Sequence, residues 1–192
     1  METRSIMIVG VGGQGSLLAS RLLGNVILAK GYDVKVSEVH GMSQRGGSVV
    51  TYVKYGDKVN SPVIEKGEAD VIISFEQLEA ARWVPFLKKG GKIITSVQKL
   101  DPMPVITGAA AYPEDLIGKM REKGIDVTAV NALELAEEAG NAKASNVVLM
   151  GVVAQKTDFG EEVWQAALEQ CVPPKFLELN KKAFELGKKA AE

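Results

Sequence analysis

The chain has 192 residues, of which 46% are apolar and 24% charged, proportions that suit one soluble globular domain rather than a disordered chain. Its 23 basic and 24 acidic side chains nearly cancel, so net charge gives no reason to expect nucleic acid or an anionic membrane as a partner. The one cysteine, Cys171, rules out an internal disulfide, a four-cysteine iron–sulfur cluster and a thiolate zinc site on this chain alone.

The amino terminus, METRSIMIVG, lacks the apolar length and cleavage site of a signal peptide, and no run of 18 apolar residues follows, so a cytoplasmic protein is expected. Ile6 to Val9 reads as a buried strand, GVGGQG as a glycine turn, and Ser16 to Lys30 as a buried helix stopped by Gly31. Val34 to Val39 alternates like a half-buried strand, and Ser48 to Lys54 is strongly β-prone. The second follows the first too closely for a helical crossover, so an antiparallel partner or an edge extension is expected.

Ala69 to Phe75 is a buried strand and Glu76 to Val84 a short helix halted by Pro85. A glycine pair resets the chain before a strand at Lys92 to Val97, with Lys88-Lys89 read as a solvated helix end. QKLDPMP reads as a surface loop, Tyr112 to Lys123 as a helix and Ile125 to Val130 as a strand. From Asn131 the pattern is helical. Ala144 to Ala154 is apolar all round, in the protein's own core or in a subunit interface. A helix at Gly160 to Gln170 follows, with Cys171 as an apolar filler beside it. The last helix starts at Pro174 and puts Phe176, Leu177, Asn180, Ala183 and Phe184 on one stripe. Trp83, Phe86 and Leu87 are expected to pack in the core.

Strands alternating with helices imply an α/β fold, an open doubly wound, mainly parallel sheet with helices on both faces. Residues 1–192 read as one domain, with 141–192 as a helical carboxyl-terminal extension.

Gly10, Gly12 and Gly15 satisfy G-x-G-x-x-G between a strand and a helix, with Gly13, Gln14 and Ser16 completing the turn. Glycines there let an anion approach the unpaired N–H groups of a helix N-terminus, and Glu38 stands where a ribose-binding acid would. The same glycines also suit close strand–helix packing. An autonomous NAD or FAD enzyme is one reading, although the length leaves little room for a substrate domain.

A second glycine-bearing stretch narrows the choice. GVGGQGSLLASRLL followed by SEVHGMSQRGGSVVTYVKYG, together with EADVIISFEQLEAARWVPFLKKGGKIITSV, resembles the gamma-type domain of the 2-oxoacid:ferredoxin oxidoreductases, in particular the small subunit of their indolepyruvate type. The resemblance implies oxidative decarboxylation of an aryl 2-oxoacid with coenzyme A and transfer of electrons to ferredoxin. It also implies a larger alpha subunit that carries thiamine diphosphate, Mg2+ and [4Fe-4S] clusters, leaving no such cofactor on this chain. A subunit of another 2-oxoacid:ferredoxin oxidoreductase is the neighbouring alternative, and a homodimer is possible for the chain alone.

Two loops are candidates for a coenzyme A site: the turn Gly10, Gly12, Gly13, Gln14, Gly15 and Ser16, and the loop His40, Gly41, Ser43, Gln44, Arg45, Gly46 and Gly47. Arg45 suits a phosphate or a carboxylate, and Gly46-Gly47 exposes backbone N–H groups. His40 could donate a hydrogen bond or shuttle a proton, or be purely structural. Arg45 could equally pair with the alpha subunit, in which case the loops touch only protein. Both loops are expected at the carboxyl edge of the sheet, facing the alpha subunit.

Overall fold

The computed structural model describes residues 2–39 and 47–191. Strand β1, Arg4–Val11, is buried from Ser5 to Gly10, and helix α1, Ser16–Ala29, follows the glycine turn. Strands β2, Asp33–Val39, and β3, Ser48–Gly56, come next, then β4, Ala69–Ser74, and helix α2, Gln77–Trp83. A 3-10 turn at Val84–Phe86 leads into β5, Leu87–Ser96. The short α3, Met103–Ile106, and α4, Leu116–Glu122, precede β6, Asp126–Val130. Four helices close the chain: α5, Ala132–Ala139, α6, Ser145–Gln155, α7, Glu161–Cys171, and α8, Leu177–Ala190.

The strands form one six-stranded sheet in the order β2-β3-β1-β4-β5-β6. β1, β4, β5 and β6 pair in parallel, whereas β3 lies antiparallel between β2 and β1, with Val11 opposite Ser48 and Val39 opposite Val50. The Ser48 strand is therefore an antiparallel partner set inside the sheet rather than an extension at its rim.

Side chains alternate across the pleat, so β1 serves two cores at once. Ile6 and Ile8 face one that α1, α6, α7 and α8 complete with Leu22, Leu23, Val148, Trp164 and Phe184. Met7 and Val9 face a smaller one closed by Ala80 of α2 and Met120 of α4. Helices thus cover both faces, as the sequence pattern requires. Trp83, Phe86 and Leu87 pack against the smaller core. Helix α6 is buried from Asn146 to Val153 and belongs to the principal core of this chain.

Several boundaries depart from the sequence pattern. β5 begins at Leu87, not Lys92, so Lys88 and Lys89 are strand residues rather than a helix end. A bulge between Ala69 and Val71 accommodates the early start, and Gly91 permits it, because a Cβ there would lie 3.0 Å from the carbonyl oxygens of Ala69 and Asp70. The helix expected from Tyr112 starts at Leu116. Asp115, at φ 47°, caps it by accepting the Gly118 N–H at 3.1 Å, and Tyr112 stays in the preceding connection. QKLDPMP runs into α3, whose Met103 and Ile106 are exposed. Phe176 sits in a 3-10 turn ahead of α8 and is 43% exposed, so the buried stripe holds Asn180, Ala183 and Phe184 without it. Cys171 is only half-buried, with Asn25 Nδ2 2.9 Å from its Sγ, so it is more than an apolar filler.

Candidate functional site at the carboxyl edge of the sheet

The glycine turn occupies the carboxyl end of β1. Its glycines divide by what surrounds them. Gly15 is left-handed, at φ 85°, and a Cβ on it would meet Asn146 Nδ2 at 2.3 Å; that amide donates to the Gly15 carbonyl at 3.1 Å. Gly10 lies under Gln14 and Phe75, which a Cβ would approach to 2.9 and 3.1 Å. Gly13, at φ 103°, has open space around its missing Cβ. Packing therefore demands glycine at Gly10 and Gly15, whereas Gly13 is required only by backbone conformation.

Gln14 binds the turn to the sheet. Its Oε1 accepts the Val11 N–H at 2.7 Å, and its Nε2 donates to the Phe75 carbonyl and to Gln98 Oε1, both at 3.1 Å. A ligand would have to break these bonds to use the Gln14 amide. Ser16 opens α1, whose first turn carries no acidic residue and whose N-cap, Gly15, offers no side-chain acceptor. Among the described residues no acceptor meets the N–H groups of Gly13, Gly15 and Ser16. These donors sit at the positive end of a 14-residue helix, where the backbone favours an anion.

The second candidate loop meets the first at its end. The Gly12 N–H donates to the Gly47 carbonyl at 2.8 Å, and Ser48 is registered opposite Val11. His40, Gly41, Ser43, Gln44, Arg45 and Gly46 lie outside the described residues. Their described neighbours, Val39 and Gly47, end β2 and precede β3 at the same edge as the turn.

Glu38 does not stand as a ribose-binding acid. The dinucleotide fold places its second strand beside the first. Here β3 intervenes, so Glu38 pairs with Thr51 across β3 and accepts the Ser20 hydroxyl of α1 at 2.6 Å.

Two buried carboxylates at this edge escaped the sequence reading. Glu76 accepts the Glu79 N–H at 2.8 Å through Oε2, and through Oε1 the Leu100 N–H at 3.2 Å and the Tyr112 hydroxyl. Burial, reinforced by the Glu76 carboxylate, pushes the Tyr112 phenol well above its ordinary range. Glu79 accepts the Ser48 hydroxyl at 2.5 Å and lies 3.5 Å from Arg82, so it joins the start of β3 to α2. The available signal was FEQLE, acidic residues at the opening of a helix after a buried strand, which is a capping pattern. Among the described residues no group of three or more His, Cys, Asp and Glu side chains is placed to hold a metal ion. With one cysteine, the chain also lacks the thiolates an iron–sulfur cluster needs.

Residues 5–190 match the pyruvate ferredoxin/flavodoxin oxidoreductase family. The chain belongs to this family. The indolepyruvate oxidoreductase subunit IorB of Thermococcus kodakarensis is 46% identical over all of this chain and 98% of its own length. That of Pyrococcus horikoshii is 45% identical with the same coverage. Among solved structures, the gamma subunit of a keto/oxoacid ferredoxin oxidoreductase from Geobacter sulfurreducens superposes with a TM-score of 0.72 at 24% identity, covering 98% of both chains. That likeness shows that the two chains share a fold over nearly their whole length.

Proposed function

We propose that the chain is the small subunit of an indolepyruvate or related arylpyruvate:ferredoxin oxidoreductase, which converts an aryl 2-oxoacid and coenzyme A to the acyl-coenzyme A and passes electrons to ferredoxin. End-to-end similarity to IorB subunits supports the enzyme class. The observation that carries the role is the hydrogen bond from Gly12 to Gly47, because it joins the last residue of the second candidate loop to the turn that bears the open N–H groups. In this reading the two loops form an anion-binding lip for coenzyme A beside the larger subunit, which holds thiamine diphosphate, Mg2+ and the [4Fe-4S] clusters. Thiamine diphosphate supplies the carbanion chemistry when bound there. This chain contributes position and charge: Arg45 and the turn N–H groups hold phosphate oxygens, and Gln14 keeps the turn rigid.

The assembly would work in the cytoplasm, and no helix among the described residues is long and apolar enough to cross a membrane. The test is reconstitution with the larger subunit. Arylpyruvate-dependent ferredoxin reduction should require both chains, and pyruvate or 2-oxoglutarate should replace the aryl substrate poorly. Arg45→Ala should raise the KM for coenzyme A selectively and leave the arylpyruvate KM unchanged. An unchanged coenzyme A KM would make the lip a protein contact only.

A further inference from the structure

Among the described residues, a cavity of about 580 Å³ opens at the other edge of the sheet, where β1, β4 and β5 begin. Its volume falls within the roughly 300–1,000 Å³ typical of small-molecule sites. Arg4, Lys30, Lys88, Lys89, Lys92 and Lys156 line it, against Asp70 and Asp158, in a chain whose charges otherwise nearly cancel. Arg4 and Lys88 share Asp70, each at 3.4 Å. The ammonium groups of Lys30, Lys89, Lys92 and Lys156 have no acidic or hydrogen-bonding partner among the described residues.

Lys30 and Lys156 cap the carboxyl ends of α1 and α6, where a cation offsets the helix dipole. That account does not extend to Lys89 and Lys92. Both lie on β5 beside the bulge, at the glycine pair that starts the strand early, so the KKGGK segment carries cations into the cavity lining.

The wall behind them is aromatic. Tyr32, Tyr55 and Phe159 form a row with ring centroids 5.9 and 5.8 Å apart. Neither phenol hydroxyl has a hydrogen-bond partner among the described residues, and Tyr55 lies within electrostatic reach of Arg4 and Asp70. Excess unpaired cations, open hydroxyl groups and ring surface in one concave site match one ligand chemistry: an aromatic ring bearing clustered negative charge.

We propose that this cleft binds a nucleoside diphosphate, with its phosphates among Lys89, Lys92 and Lys156 and its base against the tyrosine row. The site uses none of the glycine-lip residues, so it stands whether or not that lip binds coenzyme A. The test is calorimetric titration of the full chain, alone and in its complex, with ADP, pyrophosphate and adenosine at low salt. ADP should bind saturably, and pyrophosphate about tenfold more weakly because it lacks the ring. Lys89→Ala/Lys92→Ala should weaken ADP about tenfold, since two phosphate-facing charges are lost, Lys89 from an exposed strand position and Lys92 from a half-buried one outside the buried core. Cross-peaks of Tyr55 and Lys92 should shift on ADP addition. Absence of ADP binding at millimolar concentration, or binding unaffected by the double lysine change, overturns the proposal; pyrophosphate binding as tightly as ADP removes the base from it.

Discussion

At the scale of single residues, the glycine turn separates two demands that its motif conflates. Gly15→Ala would force a left-handed backbone and press a methyl group into Asn146, so it should cost about 2 kcal/mol or more of folding stability. Gly13→Ala meets only the backbone demand and should cost about 1 kcal/mol. Urea unfolding of the two variants checks the order, and an equal loss would mean that Asn146 simply moves aside. The motif and its position between strand and helix were plain in the sequence. What distinguishes its glycines was not, because the group pressing on Gly15 lies 131 positions away. Gln14 hid for the same reason: its partners Phe75 and Gln98 end other strands and their connections.

At the scale of elements, α6 and α8 approach each other closely. A Cβ on Gly151 would lie 2.0 Å from the Phe184 carbonyl oxygen, and one on Gly187 would lie 1.9 Å from that of Val148, so the helices meet backbone to backbone. Neither obstacle is the flexible tip of a side chain, and the helices would have to separate to admit a methyl group. Gly151→Ala and Gly187→Ala should each cost about 3 kcal/mol, at the upper end for overpacking a core. Gly24→Ala supplies the contrast. It sits inside α1 with nothing within 4 Å of the missing Cβ, so the better helix propensity should raise stability by about 0.5–1 kcal/mol. Thermal unfolding followed by circular dichroism would resolve opposite signs for Gly24 and Gly151. The apolar sequence of α6 announced a helix buried on several sides. Which face meets another backbone was not legible, since apolar residues surround the whole helix and leave no periodicity to read. Residues 87–91 misled differently, because glycine and lysine are poor strand formers and only the bulge against β4 makes a strand of them.

At the scale of the whole molecule, the alternation of strands and helices disclosed the class of fold, while its strand order depended on one reversed strand. Inserting β3 beside β1 brings Gly47, the last residue of the second candidate loop, to Gly12 of the turn, and it also moves Glu38 away from the place a dinucleotide would need it. The carboxyl edge so assembled is fastened by Glu76, whose carboxylate joins the start of α2, the connection after β5 and the connection before α4. Both oxygens accept from donors. Glu76→Gln would turn an amide NH2 toward one of those donors in either orientation, and should cost about 1–3 kcal/mol. The Tyr112 contact adds a pH dependence of definite sign. The phenol titrates near 10 in the unfolded chain and higher in the folded one, because burial and Glu76 disfavour the phenolate. Below pH 10 both states keep the proton and the contact contributes fully; above it the unfolded chain loses a proton that the folded chain retains, so stability falls as pH rises. Tyr55, raised by its burial, contributes with the same sign. Tyr112→Phe should therefore be less stable than the parent at pH 8 yet lose stability less steeply between pH 10 and 11, as measured by urea midpoints across that range. An unchanged alkaline slope would mean that the phenol is not held by Glu76, and that the connection before α4 is joined to the edge by packing alone.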